Sequence, residues 1–150
     1  TYNSNISITR CCNNYGPNQH NEKFIPTIIK SLSKGKKVPV YGEGMNIREW
    51  VHVYDHNLAV WAVATMGKKG VYNIGSGYEL SNIELVDKIC NAMGKDLDES
   101  VRFVEDRLGH DFRYSINCEK IRKELFYEPL YNDFDDQLVK LVEIYGKNEN

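Results

Sequence analysis

The sequence predicts an α/β fold. Three observations predict it: short strand-like segments alternate with helix-like segments, the helix-like segments carry apolar residues at helical spacing, and glycines or polar turns separate most of the elements.

Taken in order, residues 6–12 read as a strand, because Ile6 and Ile8 alternate with Ser7 and Thr9. Residues 13–21 are polar, contain Gly16 and Pro17, and read as a loop. Ile25, Ile28, Ile29 and Leu32 then recur at helical spacing. Gly35 stops that helix, and Pro26 fits only in its first turn. Residues 38–41 read as a strand, Gly42-Glu43-Gly44 as a turn, and 47–53 as a further strand. Asp55 is placed to cap a helix over 56–66. The run from Leu58 to Ala64 puts apolar residues nearly all round that helix, which predicts packing on more than one side.

Residues 71–74 form the next strand segment, left through Gly75-Ser76-Gly77. Ser81 and Glu84 have capping-box spacing. Behind them Ile83, Val86, Ile89, Cys90 and Met93 make one apolar stripe, ended by Gly94. Residues 101–104 read as a strand, 107–111 as a polar loop and 114–117 as a short strand. Asn117 caps a short helix over 118–125. Phe134, Leu138, Leu141, Val142 and Tyr145 mark a last helix, followed by a polar tail at 147–150.

The chain has 150 residues, 41% hydrophobic and 27% charged, an ordinary globular composition for one domain. Its net charge of −2 argues against a general nucleic-acid binder, which carries a basic excess. No apolar run approaches the roughly 20 residues that span a bilayer. Cys11, Cys12, Cys90 and Cys118 form no CxxC pair, so reduced cysteines in a cytoplasmic enzyme are the simpler reading than disulfides or zinc. No signal peptide is legible in the polar, uncharged first five residues. Without an initiator Met and with a strand entered almost at once, the chain reads as a fragment whose N-terminal part lies outside it.

Three segments offer groups for a ligand that combines phosphates, hydroxyls and a flat base. Asn13-Asn14-Tyr15-Gly16-Pro17 follows a strand, where α/β sheets bind ligands. Its two carboxamides suit phosphate, sugar or cofactor; the same pattern also fits a turn that caps its own backbone. Tyr41-Gly42-Glu43-Gly44 precedes Arg48, whose guanidinium can clamp a diphosphate or pair on the surface with Glu49 or Glu43. The 105–111 segment is dense in charge. His110 beside Asp111 resembles half of an acid–base pair, with no nucleophile at a matching spacing. Gly75-Ser76-Gly77 lacks the third glycine of a dinucleotide fingerprint and is followed by no Walker lysine.

Several of these runs together resemble a known family. They are Thr9 to Pro17, Glu22-Lys23-Phe24-Ile25-Pro26, Pro39 to Gly44, Ile47-Arg48-Glu49-Trp50, Tyr72-Asn73-Ile74-Gly75 and Asp106 to Asp111. They are similar to the extended short-chain dehydrogenases/reductases that act on nucleotide sugars, and within these to the C-terminal half of the dTDP-glucose 4,6-dehydratases. The resemblance covers nearly the whole chain in order. The 22–26 and 106–111 segments are its more specific parts.

The resemblance implies the last Rossmann strands plus the smaller substrate-binding domain of such an enzyme, with the NAD-binding half absent. It implies an NAD-dependent hydro-lyase that takes hydride from sugar C4, removes water across C5 and C6 and returns the hydride to C6, as in rhamnose biosynthesis. It places Asn14 at NAD. It places Asn13, Lys23, Phe24, Ile25, Pro26, Thr27, Ile28, Pro39, Val40, Tyr41, Arg48, Asn73, Asp106, Arg107, Leu108, Gly109 and His110 at a nucleotide-diphosphate sugar. Leu108 stands where the family pattern has proline, which frees that loop's backbone.

The resemblance expects the catalytic Tyr-x-x-x-Lys pair and the dehydrating acids upstream. Tyr2 is not followed by the required lysine, so this chain alone is expected to be inactive. The full-length enzyme is expected to be a homodimer that binds neither nucleic acid nor membrane. The alternative readings are a UDP-glucose 4,6-dehydratase, a related epimerase or decarboxylase, or a non-catalytic sugar-nucleotide-binding module.

Overall fold

A computed structural model of the chain describes residues 4 and 6–147. Tyr2 and the end of the polar tail lie outside the described residues.

The first strand, β1 (Ser7–Cys11), pairs in parallel with β5 (Gly70–Ile74), Ile8 opposite Val71. At Cys12 the chain bends and changes sheet, its amide still bonded to the Ile74 carbonyl at 3.2 Å. Residues expected to be loop then form β2 (Asn13–Tyr15), which runs parallel to β4 (Ile47–His52) with Asn13 opposite Trp50. The correction has a tertiary cause. β4 satisfies backbone groups that carboxamide-rich sequence would otherwise leave to turns.

The helix α1 (Phe24–Ser33) carries Pro26 in its first turn as expected, and Ile25, Ile28, Ile29 and Leu32 are buried. β3 (Val38–Tyr41) pairs in parallel with β7 (Val101–Val104). β6 (Glu79–Ser81), not anticipated, pairs antiparallel with β4. The strand expected at 114–117 is instead the two-residue β8 (Arg113–Tyr114), parallel to β4. The capping box forms as expected at the start of α3 (Asn82–Ala92). A short α4 (Leu97–Ser100), also unanticipated, is capped by Asp96. α5 (Glu119–Leu125) begins where Asn117 Oδ1 accepts from the Glu119 amide at 2.8 Å. α6 (Phe134–Gly146) buries Phe134, Leu138, Leu141 and Tyr145.

The helix α2 (Val53–Met66) departs from expectation twice. Its cap is His52, whose Nδ1 accepts from the Tyr54 amide at 3.3 Å. Burial lowers the His52 pKa, although Asp55 opposes the shift, and this favours the neutral ring that can accept. Asp55 is buried and turned to other work: its carboxylate accepts from the amides of Leu130 and Tyr131 at 2.9 and 3.0 Å. The helix was also expected to pack on several sides, but its buried residues are only Asp55, Ala59 and Val63. Trp61 is 69% exposed and Leu58 51%.

Two apolar cores result. One joins α1, α3 and α6 to β2, β3, β4 and β6 through residues such as Ile28, Trp50, Ile89 and Leu138. The other joins α2, α5 and β5 through Ala59, Tyr72, Ile74 and Ile121. Glu49 bridges the two. It is 1% exposed, and its carboxylate accepts from the amides of Gly77 and Ile116, both at 2.8 Å. Any Cβ on Gly75 would collide with that carboxylate, so the Gly75-Ser76-Gly77 segment is shaped to receive Glu49.

Candidate functional site

A cavity of about 450 Å3 opens between α1, β3, β4 and the 106–110 loop. On α1, Phe24, Thr27, Ile28 and Ser31 line it; they fall at i, i+3, i+4 and i+7 and so share one face. β3 contributes Val38, Pro39, Val40 and Tyr41, and β2 contributes Asn13. Arg48 and Trp50, two apart on β4, line it together. Arg107 and His110 close it from the loop.

The loop holds its own shape. Asp106 Oδ1 lies 2.7 Å from His110 Nδ1 and accepts the Arg107 amide at 2.8 Å. The bond to His110, more than any other contact, holds the Asp106 carboxyl below its usual range. The His110 ring also meets the Tyr41 ring edge-on, with centroids 6.2 Å apart. Gly109 adopts a φ of +70°, and Leu108 points fully into solvent.

Arg48 Nη1 donates to the Ile47 carbonyl at 2.6 Å. Neither Arg48 nor Arg107 forms an ion pair among the described residues, so both charges remain available to an anion. Glu49, considered above as a surface partner for Arg48, is committed to its two backbone amides.

The structure therefore brings together Asn13, Phe24, Thr27, Ile28, Pro39, Val40, Tyr41, Arg48, Arg107 and His110. Asp106 stands behind His110, while Lys23 occupies the cap position of α1 beside the wall. Ile25 is buried in the core and Pro26 is buried too, and neither lines the cavity. Leu108 and Gly109 shape the loop without lining it. Asn73 lies on β5 in the other sheet and donates to the Asn117 carbonyl at 2.9 Å, away from this cavity.

Asn82 lines the cavity, and sequence reasoning missed it. It is the first residue of α3, carried there by Gly44 and Asn46, whose carbonyls accept the Ile83 and Asn82 amides at 3.0 and 2.9 Å. Gly44 has a φ of +74°, and a Cβ there would meet Val40 Cγ1 at 2.8 Å. The available signal was the capping box itself. Ser81 and Glu84 already close the helix end, so the Asn82 carboxamide is not needed as a cap. Glu22, Ser31 and Val38 also line the cavity and carried no separate signal.

Asn14 is half-committed. Its Nδ2 lies 3.3 Å from both the Cys12 carbonyl and Cys11 Sγ, as in a turn that caps its own backbone. Its Oδ1 is buried with no partner among the described residues. That orphan acceptor fits a single donor from a bound cofactor. Burial, with Glu49 nearby, pushes the Cys12 thiol up and the Cys118 thiol to about 11, so neither is a nucleophile at neutral pH. No helix among the described residues is long and apolar enough to cross a membrane.

The comparisons with known proteins bear on this arrangement. A family model described as the NAD dependent epimerase/dehydratase family matches residues 1–75, half of the chain. The chain belongs to that family. Within the epimerase/dehydratase family it is 48% identical to a dTDP-glucose 4,6-dehydratase of Streptomyces niveus, over 99% of this chain and 44% of the relative. It is 50% identical to the low-salt glycan biosynthesis protein Agl12 of Haloferax volcanii, over 92% of this chain and 44% of the relative. Among solved structures it matches a dTDP-glucose 4,6-dehydratase of Streptomyces venezuelae with NAD and dTDP bound. That match has a TM-score of 0.93 and 46% identity, and covers 99% of this chain and 46% of the other. The α/β fold expected from the sequence is the fold of that solved structure. The chain spans less than half the length of the relatives it matches.

Proposed function

We propose that this chain is the sugar-nucleotide-binding, C-terminal region of an NAD-dependent dTDP-glucose 4,6-dehydratase. The carrying observation is one cavity that gathers two unpaired guanidinium groups, two carboxamides and an apolar, aromatic wall. A nucleotide sugar asks for that set: cations for the diphosphate, amides for hydroxyls, apolar surface for the base. Arg48 and Arg107 hold the diphosphate, and each charge-assisted contact contributes about 1.5–3 kcal/mol. Pro39, Val40, Tyr41 and the α1 face of Phe24, Thr27 and Ile28 take the nucleoside, with Lys23 at the helix cap beside them and Ile25 and Pro26 supporting that face from behind. Asn13 and Asn82 meet hydroxyl or phosphate oxygens. Asp106 positions His110, and the bends at Leu108 and Gly109 shape the closing loop. Asn73 braces β5 against Asn117 and is not assigned a contact with the ligand.

Bound NAD would supply the redox chemistry, acceptance of the hydride from C4 and its return to C6. From this chain it receives the Asn14 Oδ1 acceptor, and the NAD-binding half of the protein provides the rest of its site. The chain supplies binding and orientation, no proton-transfer group is assigned to it, and by itself it is inactive. The whole protein works in the cytoplasm, as a homodimer, in deoxysugar synthesis of the rhamnose type.

The test uses the complete protein. Incubation with dTDP-glucose is expected to yield dTDP-4-keto-6-deoxyglucose, identified by NMR, and an epimer or a pentose product overturns the reading. Parallel titration with dTDP- and UDP-glucose is expected to favour the thymidine nucleotide. Equal or tighter use of UDP-glucose would move the assignment to the UDP enzyme. Arg48→Ala is expected to raise KM at least 10-fold.

A further inference from the structure

Trp50 is 4% exposed, and its indole Nε1 is buried without a hydrogen-bond partner among the described residues. An indole N–H can only donate. Leaving such a donor unpaired in a folded protein is costly, and native structures seldom do so without a reason.

The surroundings supply a reason. Trp50 lines the 450 Å3 cavity with Arg48, its neighbour two positions earlier on β4, and stands opposite Asn13 in the β2–β4 register. It also lines a second cavity of about 320 Å3, with Tyr15, Tyr78, Arg122, Tyr131 and Phe134. Trp50 thus borders both cavities. Its backbone is fixed from both sides: the Trp50 amide donates to the Tyr78 carbonyl at 2.9 Å, and the Trp50 carbonyl accepts from Ser76 Oγ at 2.6 Å. Only the ring nitrogen is left over.

We infer that Trp50 is a ligand-binding residue whose indole N–H donates to an oxygen acceptor on the diphosphate–hexose stretch of the bound nucleotide sugar. This rests on the proposed function above. Arg48 on the same strand and Asn13 across from it bracket that stretch, and both its phosphate oxygens and its hydroxyls can accept. The ring's face would remain an apolar wall, which separates the hydrogen bond from the packing role.

The test is made on the complete protein with 15N-labelled tryptophan. The Trp50 indole resonance is assigned by its loss in Trp50→Phe, and dTDP and dTDP-glucose are titrated separately. The expected result is a ligand-dependent shift and slowed solvent exchange of that one N–H. A shift with dTDP alone identifies a phosphate oxygen, and a shift only with dTDP-glucose identifies a hydroxyl. Trp50→Phe, which keeps an aromatic wall, is expected to weaken binding of the nucleotide that shifts the N–H about 10-fold, by loss of one hydrogen bond. If wild type binds dTDP-glucose but the indole N–H neither shifts nor slows, the inference is wrong and the proposed function stands. If wild type binds neither nucleotide, the proposed function fails and the inference with it. The wild-type resonance decides the matter even where Trp50→Phe folds poorly.

Discussion

The two halves of the molecule are finished to different degrees. Around α1, α3 and α6 the helices pack on one another and on the strands, and Ile28, Ile89 and Leu138 are essentially inaccessible. Around β1, β5 and α2 the core is closed on one side only. Tyr72 and Ile74 pack inward, while Ile8 (52% exposed) and its register partner Val71 face out, as do Leu58 and Trp61 on α2. Parallel strands are normally covered on both faces. The difference teaches where this chain is self-sufficient: the candidate nucleotide-sugar cavity is built almost wholly from the closed half. The orphan acceptor of Asn14 lies just past the bend where the chain passes from one half to the other.

Substitutions can break or sharpen that contrast. The largest effect is expected from Leu138→Ala in the closed core, a loss of about 3–4 kcal/mol by urea denaturation. An effect below about 1 kcal/mol would mean that this core is as loosely built as the other. Next comes Glu49→Ala, which removes the acceptor shared by Gly77 and Ile116 and leaves two buried amides unpaired. A loss of about 2–3 kcal/mol is expected. Because Glu49 ties the two halves, hydrogen exchange should quicken around 75–77 and 116 ahead of α1 and α6.

A smaller effect is expected from Tyr145→Phe. The hydroxyl accepts the Gln19 amide at 2.7 Å and donates to the Gly16 carbonyl at 2.9 Å, pinning the loop after Asn13 and Asn14 to α6. Its loss should cost about 1 kcal/mol and show as faster exchange of the Gln19 amide. On the open half, Leu58→Ser together with Trp61→Ser should change stability by less than about 0.5 kcal/mol and reduce self-association. A large destabilisation would show that this face is covered after all. The mildest effect concerns pH. The Asp106 carboxyl is held below its ordinary value of 3.8 by His110, so its side of the contact is complete above pH 3.8. It should be lost only as pH falls through the lowered value, which the NMR shift of the Asp106 carboxyl would follow.

Much of this organisation is legible in the sequence. Local signals named α1, the α3 capping box and α6, because helical spacing and caps are written within a few residues. β2, β6 and β8 were hidden or displaced, since strands of two or three residues exist only through the partner, β4, that they meet. Asp55 illustrates the same limit. Its type and position read as a helix cap, but the amides of Leu130 and Tyr131, 75 and 76 residues on, claim its carboxylate.

By itself, then, the sequence determined the α/β class, the helical faces and the residue types a nucleotide-sugar site needs, because each rests on short-range periodicity or on side-chain chemistry. Only the tertiary structure decided which candidates meet. It set Asn82 rather than Asn73 in the cavity wall, buried Ile25 and Pro26 away from that wall, committed Glu49 to backbone amides and left the nitrogen of Trp50, a residue that borders two cavities, without a partner among the described residues. The physical reason is that a side chain's partner is set by what the fold carries up to it, over separations on which no local pattern in the chain bears.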